Sequence, residues 1–109
     1  MKRLFLTLTL GLAACGSAGP QAPMMKTVEK MDGALMVNWM NMETACSAID
    51  GERKMGSEAF SPIFSVPGEV DNKHDATATT DATYTYRVRC KKGDKYSAWS
   101  DEMGMNPVR

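Results

Sequence analysis

From about Lys26 onward, apolar and polar residues alternate in short runs separated by turn residues. A period of two marks strands that are buried on one face only. Ala34 to Met40, "ALMVNWM", sets Leu35, Val37 and Trp39 on one face and Ala34, Met36, Asn38 and Met40 on the other. Ala82 to Cys90, "ATYTYRVRC", is the strongest strand signal in the chain. It puts Tyr84, Tyr86, Val88 and Cys90 on one side and Thr85, Arg87 and Arg89 on the other. Further strands are predicted at Lys26–Met31, within Cys46–Lys54, at Ala59–Val66, briefly around Lys73–Thr77, and from Tyr96 into Met103 after the turn "KKGDK". Asp32-Gly33 is a dipeptide that favours a tight turn between paired strands. Seven short strands at this spacing predict an all-β, antiparallel sandwich.

The first dozen residues break this pattern. Lys2 and Arg3 precede an apolar run, Leu4 to Leu12, as long as the core of a helical secretory signal peptide and far short of the ~20 residues of a spanning helix. The run ends in Leu12-Ala13-Ala14-Cys15, which resembles the lipobox of bacterial lipoproteins. That resemblance implies removal of residues 1–14 and a mature chain that begins at Cys15, acylated on its thiol and its new amino group. Several acyl chains on one residue hold a protein firmly, where a single chain holds it only marginally. Gly16, standing where an aspartate would retain the protein at the inner membrane, implies an outer-membrane lipoprotein with its domain in the periplasm or at the surface. The alternative is an ordinary signal peptide with an incidental cysteine. Ser17 to Pro23, "SAGPQAP", has no apolar pattern, so residues 15–23 are expected to be a lipidated tether and 24–109 the domain.

At 109 residues, 43% of them hydrophobic, the chain suffices for one small domain. Its 13 basic and 13 acidic side chains balance, so no attraction to nucleic acid is written into its charge. Loss of residues 1–14 removes Lys2 and Arg3 and no acid, leaving 11 basic against 13 acidic groups, a formal charge of −2.

"FSPIFSV", "DATATTDATYTYRVRC" and "YSAWSDEM" together resemble the fibronectin type III domain over roughly Met25 to Asn106. The resemblance implies a seven-stranded immunoglobulin-like sandwich with Trp39 in its core. It also implies a tyrosine corner at Tyr84, whose hydroxyl bonds back to nearby backbone. The chain departs from the family at Ile49, where a tyrosine is usual; at Gly51, which implies a bulged or short third strand; at Ala78, in place of a core leucine; and at Cys90, in place of alanine.

The resemblance makes the third and sixth strands antiparallel neighbours, which brings Cys46 close to Cys90. An exported pair so placed is expected to form a disulfide, the alternative being two buried thiols. "YRVR" and "YSAWS" also resemble the arginine ladder and tryptophan-serine box of cytokine-receptor domains, with Tyr96 in place of the first tryptophan. Arg87, Arg89 and Trp99, extended by Lys91, Lys92 and Lys95, then form either a ligand-binding face or a surface ladder that stiffens the sheet.

Ten methionines include the pairs Met40/Met42 and Met103/Met105. Thioethers suit copper(I), and Met40 and Met42 are the weak candidates, but methionine also fills cores and adaptable surfaces. The implied topology sets the two pairs at opposite poles. Asp50, Glu52, Asp71 and Asp75 are expected in solvated loops and strand faces, Asp75 with a turn role. In the topology that the resemblance implies, the single His74 lies away from both cysteines, and no glycine loop, Cys-x-x-Cys pair or serine triad is present. The sequence therefore predicts no enzyme, no cofactor and no resident metal. It predicts a lipid-anchored envelope module that binds a protein or glycan, with a scaffold subunit or a copper(I)-handling lipoprotein as the other readings.

Overall fold

The computed structural model describes residues 19–107, so the expected signal peptide and Cys15 lie outside the described residues. Eight strands pack as two antiparallel sheets: β1 (Met24–Met31), β2 (Ala34–Met40), β3 (Ala48–Met55), β4 (Ser61–Pro67), β5 (Asn72–Asp75), β6 (Tyr84–Lys92), β7 (Lys95–Tyr96) and β8 (Met103–Met105). One sheet has the order β1-β2-β5; the other runs β4-β3-β6-β7, with β8 also paired to β6. Among the described residues no helix is long and apolar enough to cross a membrane.

The period-two strands behave as their pattern requires. Leu35, Val37 and Trp39 of β2 and Tyr84, Tyr86, Val88 and Cys90 of β6 are all buried, and with Ile49 they form the centre of the core. Ala78, where the resembled domain carries a core leucine, is fully buried as well. Asp32 and Gly33 join β1 to β2 with φ of 54° and 75°, the doubly left-handed turn that a right-twisted hairpin needs.

Trp39 lies stacked on Phe64, ring centroids 5.6 Å apart and planes 13° from parallel. Gly51 makes this stack possible, because a Cβ added there would lie 2.2 Å from Phe64 Cζ. The irregularity expected near Gly51 is a register shift between Gly51 and Glu52 against β4, while the strand itself keeps eight residues.

Two sequence expectations need correction. β1 begins at Met24 rather than Lys26, because a shift between Met25 and Thr27 brings both Met25 and Val28 into the core, three residues apart, which breaks the alternation. The single last strand expected over Tyr96–Met103 is instead two short strands, β7 and β8, flanking an irregular stretch at 97–102. The cause is a repeat of three. The Ser97 and Ser100 N–H groups donate to the Cys90 and Val88 carbonyls at 2.8 Å each. The Cys90 and Val88 N–H groups in turn donate to the Ser97 and Ser100 hydroxyls at 2.9 and 3.0 Å. Two buried hydroxyls thus replace the carbonyl acceptors of a partner strand.

Cys46, just before β3, is bonded to Cys90 of β6, with Cα atoms 5.8 Å apart. Residues 19–23, the second half of the expected tether, lie against the domain. The Gln21 N–H donates to Glu43 at 2.8 Å, Pro23 is buried, and Gly19 packs on the Tyr96 carbonyl so closely that an added Cβ would sit 2.9 Å from its oxygen.

Candidate functional site

The outward face of the larger sheet carries the chemistry. On β6 the buried residues alternate with Arg87 and Arg89, which therefore point away from the core beside Trp99. The repeat of three through Ser97 and Ser100 is what lays Trp99 over the sheet. The Arg87 and Arg89 guanidinium carbons each lie 4.5 Å from the Trp99 ring centroid. The column continues at both ends: Arg87 reaches Phe60 at 4.1 Å, Lys54 reaches the same ring at 5.2 Å, Arg89 reaches Tyr96 at 3.9 Å and Lys91 reaches Tyr96 at 5.8 Å. Cations and rings thus alternate down the sheet, with both arginines stacked on Trp99.

Strand β3 supplies the counter-charge in register, Glu52 opposite Arg87 and Asp50 opposite Arg89. The two pairs are unequal. Arg87 donates from Nε and Nη2 to Glu52 Oε1 at 3.0 and 2.6 Å. Arg89 Nε stands 3.8 Å from Asp50 Oδ2, and this nitrogen is buried without a hydrogen-bond partner. Asp50 is engaged elsewhere, its Oδ1 accepting from the Ser65 hydroxyl at 2.8 Å. Asp50 and Glu52 are therefore half-buried partners of the ladder, not freely solvated acids. Between the ladder and β4 a cleft of about 450 Å³ is lined by Asp50, Glu52, Pro62, Ile63, Ser65, Arg89 and Trp99 among others.

The predicted binding residues divide. Arg87, Arg89 and Trp99 come together, and Lys91 joins them through Tyr96. Lys92 leaves the face to pair with Glu43 at 2.8 Å, and Lys95 is exposed at the end of the β6–β7 turn. Glu43 is held below the usual carboxylate range by the Gln21 N–H and by Lys92. Phe60 and Ser65 were not legible as members of this face, since only the register of β4 on β3 places them. Met40 pairs across β1–β2 with Met24, and Met42 is exposed nearby, whereas Met103 and Met105 pair with Tyr86 and Tyr84 at the other end. Among the described residues no group of three or more His, Cys, Asp or Glu side chains is placed to hold a metal.

Two further polar residues depart from expectation. Asp75 is buried, 5% exposed, where the sequence suggests a solvated acid. It also has the expected turn role, its Oδ1 accepting from the Thr77 N–H at 3.1 Å. The Tyr84 hydroxyl pairs with the Thr80 hydroxyl rather than with backbone.

If the ladder stiffens the sheet, Trp99→Ala costs stability even though the ring is only partly buried. Two cation–π contacts at a half-exposed site are worth about 1–2 kcal/mol together, and the lost apolar contact adds to that. A urea midpoint unchanged by the substitution would show that the stacked column contributes nothing to stability.

No protein-family model and no curated protein sequence matches this chain. Solved structures do resemble it. A β-1,2-glucanase from Parabacteroides distasonis superposes with a TM-score of 0.71 at 12% identity, over 82% of this chain and 13% of the glucanase. A pectate lyase from Pectobacterium carotovorum gives 0.67 at 19% identity, over 79% of this chain and 27% of the lyase. A fibronectin III-like protein from Clostridium thermocellum gives 0.67 at 16% identity, over 79% of this chain and 91% of that protein. The fold is fibronectin type III-like. The chain spans only a small part of the two enzymes.

Proposed function

We propose that this chain is a lipid-anchored, non-catalytic binding module of the cell envelope, held by Cys15 and recognising a protein or glycan through the cleft beside the ladder. The observation that carries this reading is the unequal pairing of the two arginines. Arg87 is fully engaged by Glu52, whereas Arg89 keeps a buried Nε without an acceptor at a cleft that also offers the Ser65 hydroxyl, the Asp50 carboxylate and apolar side chains. Buried polar groups left unpaired are costly, and a small shift of the Arg89 side chain that turned Nε to a ligand oxygen in the cleft would remove the cost. Polar groups set against apolar walls suit the hydroxyls and carbon face of a sugar ring as well as a peptide carbonyl. Glycans are the first class to test, because the fold recurs within a glucanase and a pectate lyase. The Cys46–Cys90 bond suits an exported protein. A spacer or scaffold role is the second reading, favoured by the small share of those enzymes that the fold occupies.

Two measurements test the proposal. Cys15→Ser is expected to move the protein from the membrane to the soluble fraction, and an unchanged distribution would remove the anchor. Ser65→Trp, at an exposed position on β4, fills the cleft without touching the core. The variant is expected to lose the capture of envelope glycan or protein that the wild-type chain shows, while its unfolding curve stays in place. Undiminished capture would exclude the cleft.

A further inference from the structure

The path of residues 19–23 fixes one end of the domain relative to the proposed lipid. Gly19 is seated on the Tyr96 carbonyl, Gln21 is bonded to Glu43, and Pro23 is buried. The chain is therefore held to the domain from Gly19 onward, at the pole where β2 ends and the β6–β7 turn lies. Only residues 16–18 stand between Gly19 and Cys15. A chain advances at most ~3.3–3.6 Å per residue, so the Cys15 and Gly19 Cα atoms are no more than ~14 Å apart. β6 alone, nine residues long, reaches farther than that towards the other pole, at ~3.3 Å per residue.

We infer that this pole, bearing Met24, Met40, Met42 and Tyr96, rests on the bilayer surface, and that the opposite pole, with Met31, Met55 and Met105, faces away from it. The inference rests on the proposed acylation of Cys15. The chemistry of the pole fits a lipid interface. Met24, Met40 and Tyr96 are 53%, 48% and 44% exposed, and Met42 is 37% exposed. Flexible thioethers and an amphipathic ring suit the boundary between headgroups and acyl chains. Charge does not drive the contact. Lys91, Lys92 and Lys95 share this pole with Glu43, Glu69 and Asp94 and with Asp71 and Asp101, which bond to Trp39 and Met25, so the orientation follows from the short reach of the chain and from apolar contact. The consequence is that Lys92 and Lys95 face lipid, which leaves partner recognition to the side and far end of the domain.

Met42 and Met55 give a matched pair of probe sites, each 37% exposed and at opposite poles. The full chain, acylated in a Gram-negative host, is prepared as Met42→Cys and as Met55→Cys, labelled with the same fluorophore, and placed in vesicles of phosphatidylethanolamine and phosphatidylglycerol that carry headgroup nitroxide lipids. Quenching at position 42 is expected to exceed that at position 55 several-fold. Flotation of the protein with the vesicles together with equal quenching at both sites, or stronger quenching at 55, would overturn the orientation while leaving the anchor intact. Failure to float, with the mass of an unacylated chain, would overturn the anchor and the orientation with it.

Discussion

Reduction of the Cys46–Cys90 bond is expected to lower the stability of the domain by about 4 kcal/mol and its melting temperature by roughly 15–30 °C. The two cysteines are 44 residues apart, so the bond closes a loop that takes in β3, β4 and β5. Its main effect is to restrict the unfolded chain, and on the chain-entropy view a loop of this length accounts for the figure given. The native state needs no rearrangement to hold the bond: Ile49 already faces Cys90 across the β3–β6 ladder, and the Ser47 N–H donates to the Lys91 carbonyl at 2.6 Å. Two perturbations separate the sources of stability. Dithiothreitol removes the cross-link and keeps both sulfur atoms. The double variant Cys46→Ala, Cys90→Ala removes the sulfurs as well, and because Cys90 is fully buried it is expected to cost roughly 1 kcal/mol more from the void left behind. Thiol titration of the unfolded, unreduced chain should find no free thiol at either position. Equal melting temperatures with and without reductant would show that the cross-link does not stabilise the domain. For a domain whose total stability is of the usual 5–15 kcal/mol, a loss of this size removes about a quarter or more of it.

Much of the fold was legible because two strands follow their pattern strictly. β6 alternates from Tyr84 to Lys91 and β2 from Leu35 to Met40, Ala34 being buried despite its outward position, and every inward residue named from the sequence in these two strands is buried. The Asp32-Gly33 turn was legible for a similar reason, since few dipeptides tolerate two positive φ angles in succession. What was hidden lies where a local device breaks the period. The shift in β1 places Met25 and Val28 on the same side, and the serine repeat replaces a strand with a segment whose bonded positions fall every third residue. The candidate site was half legible. Arg87, Arg89 and Trp99 sit in recognisable local motifs, but Phe60 and Ser65 reach the face through the pairing of β4 on β3, and that register is not written in either strand alone. The same limit explains Lys92. The sequence suggests that it extends the basic face from the loop, but it falls on the Cys90 side of the β6 alternation, and its partner, Glu43, comes from a loop 49 residues away.

Asp75 is where sequence reasoning failed most clearly, and it supports the second large prediction. It lies in "DNKHDATATT", a polar stretch with nothing to mark one carboxylate as buried. In the fold β5 turns it inward opposite Leu35, between the two sheets. There it accepts from the Thr77 hydroxyl at 2.6 Å, from the Tyr86 hydroxyl at 2.6 Å and from Arg53 Nη1 at 2.8 Å, so each oxygen is satisfied. Asp75→Ala leaves the buried Tyr86 hydroxyl without its acceptor and Arg53 without its counter-charge, though Arg53 keeps the Thr77 hydroxyl at 2.7 Å and is one-fifth exposed, so the expected cost is about 2–3 kcal/mol. Asp75→Asn keeps an acceptor for Tyr86 and loses the charge, so its cost should be smaller and, unlike that of an uncharged packing change, dependent on pH. Burial pushes the Asp75 carboxyl up, but the bonds from Thr77, Tyr86 and Arg53 outweigh it and hold the group below its ordinary range. A depressed folded-state value contributes stability above the unfolded value of about 3.9, and that contribution is lost as the pH falls through the folded value. Burial and the Asp75 carboxylate push the Tyr86 hydroxyl far up, so its contribution is present below its unfolded value of about 10 and is lost at higher pH. The stability difference between wild type and Asp75→Asn should therefore be full at neutral pH and shrink below about pH 4. Urea unfolding of both proteins from neutral to strongly acid pH measures this difference; if it stays constant across that range, the charge on Asp75 contributes nothing and the residue acts through its shape alone.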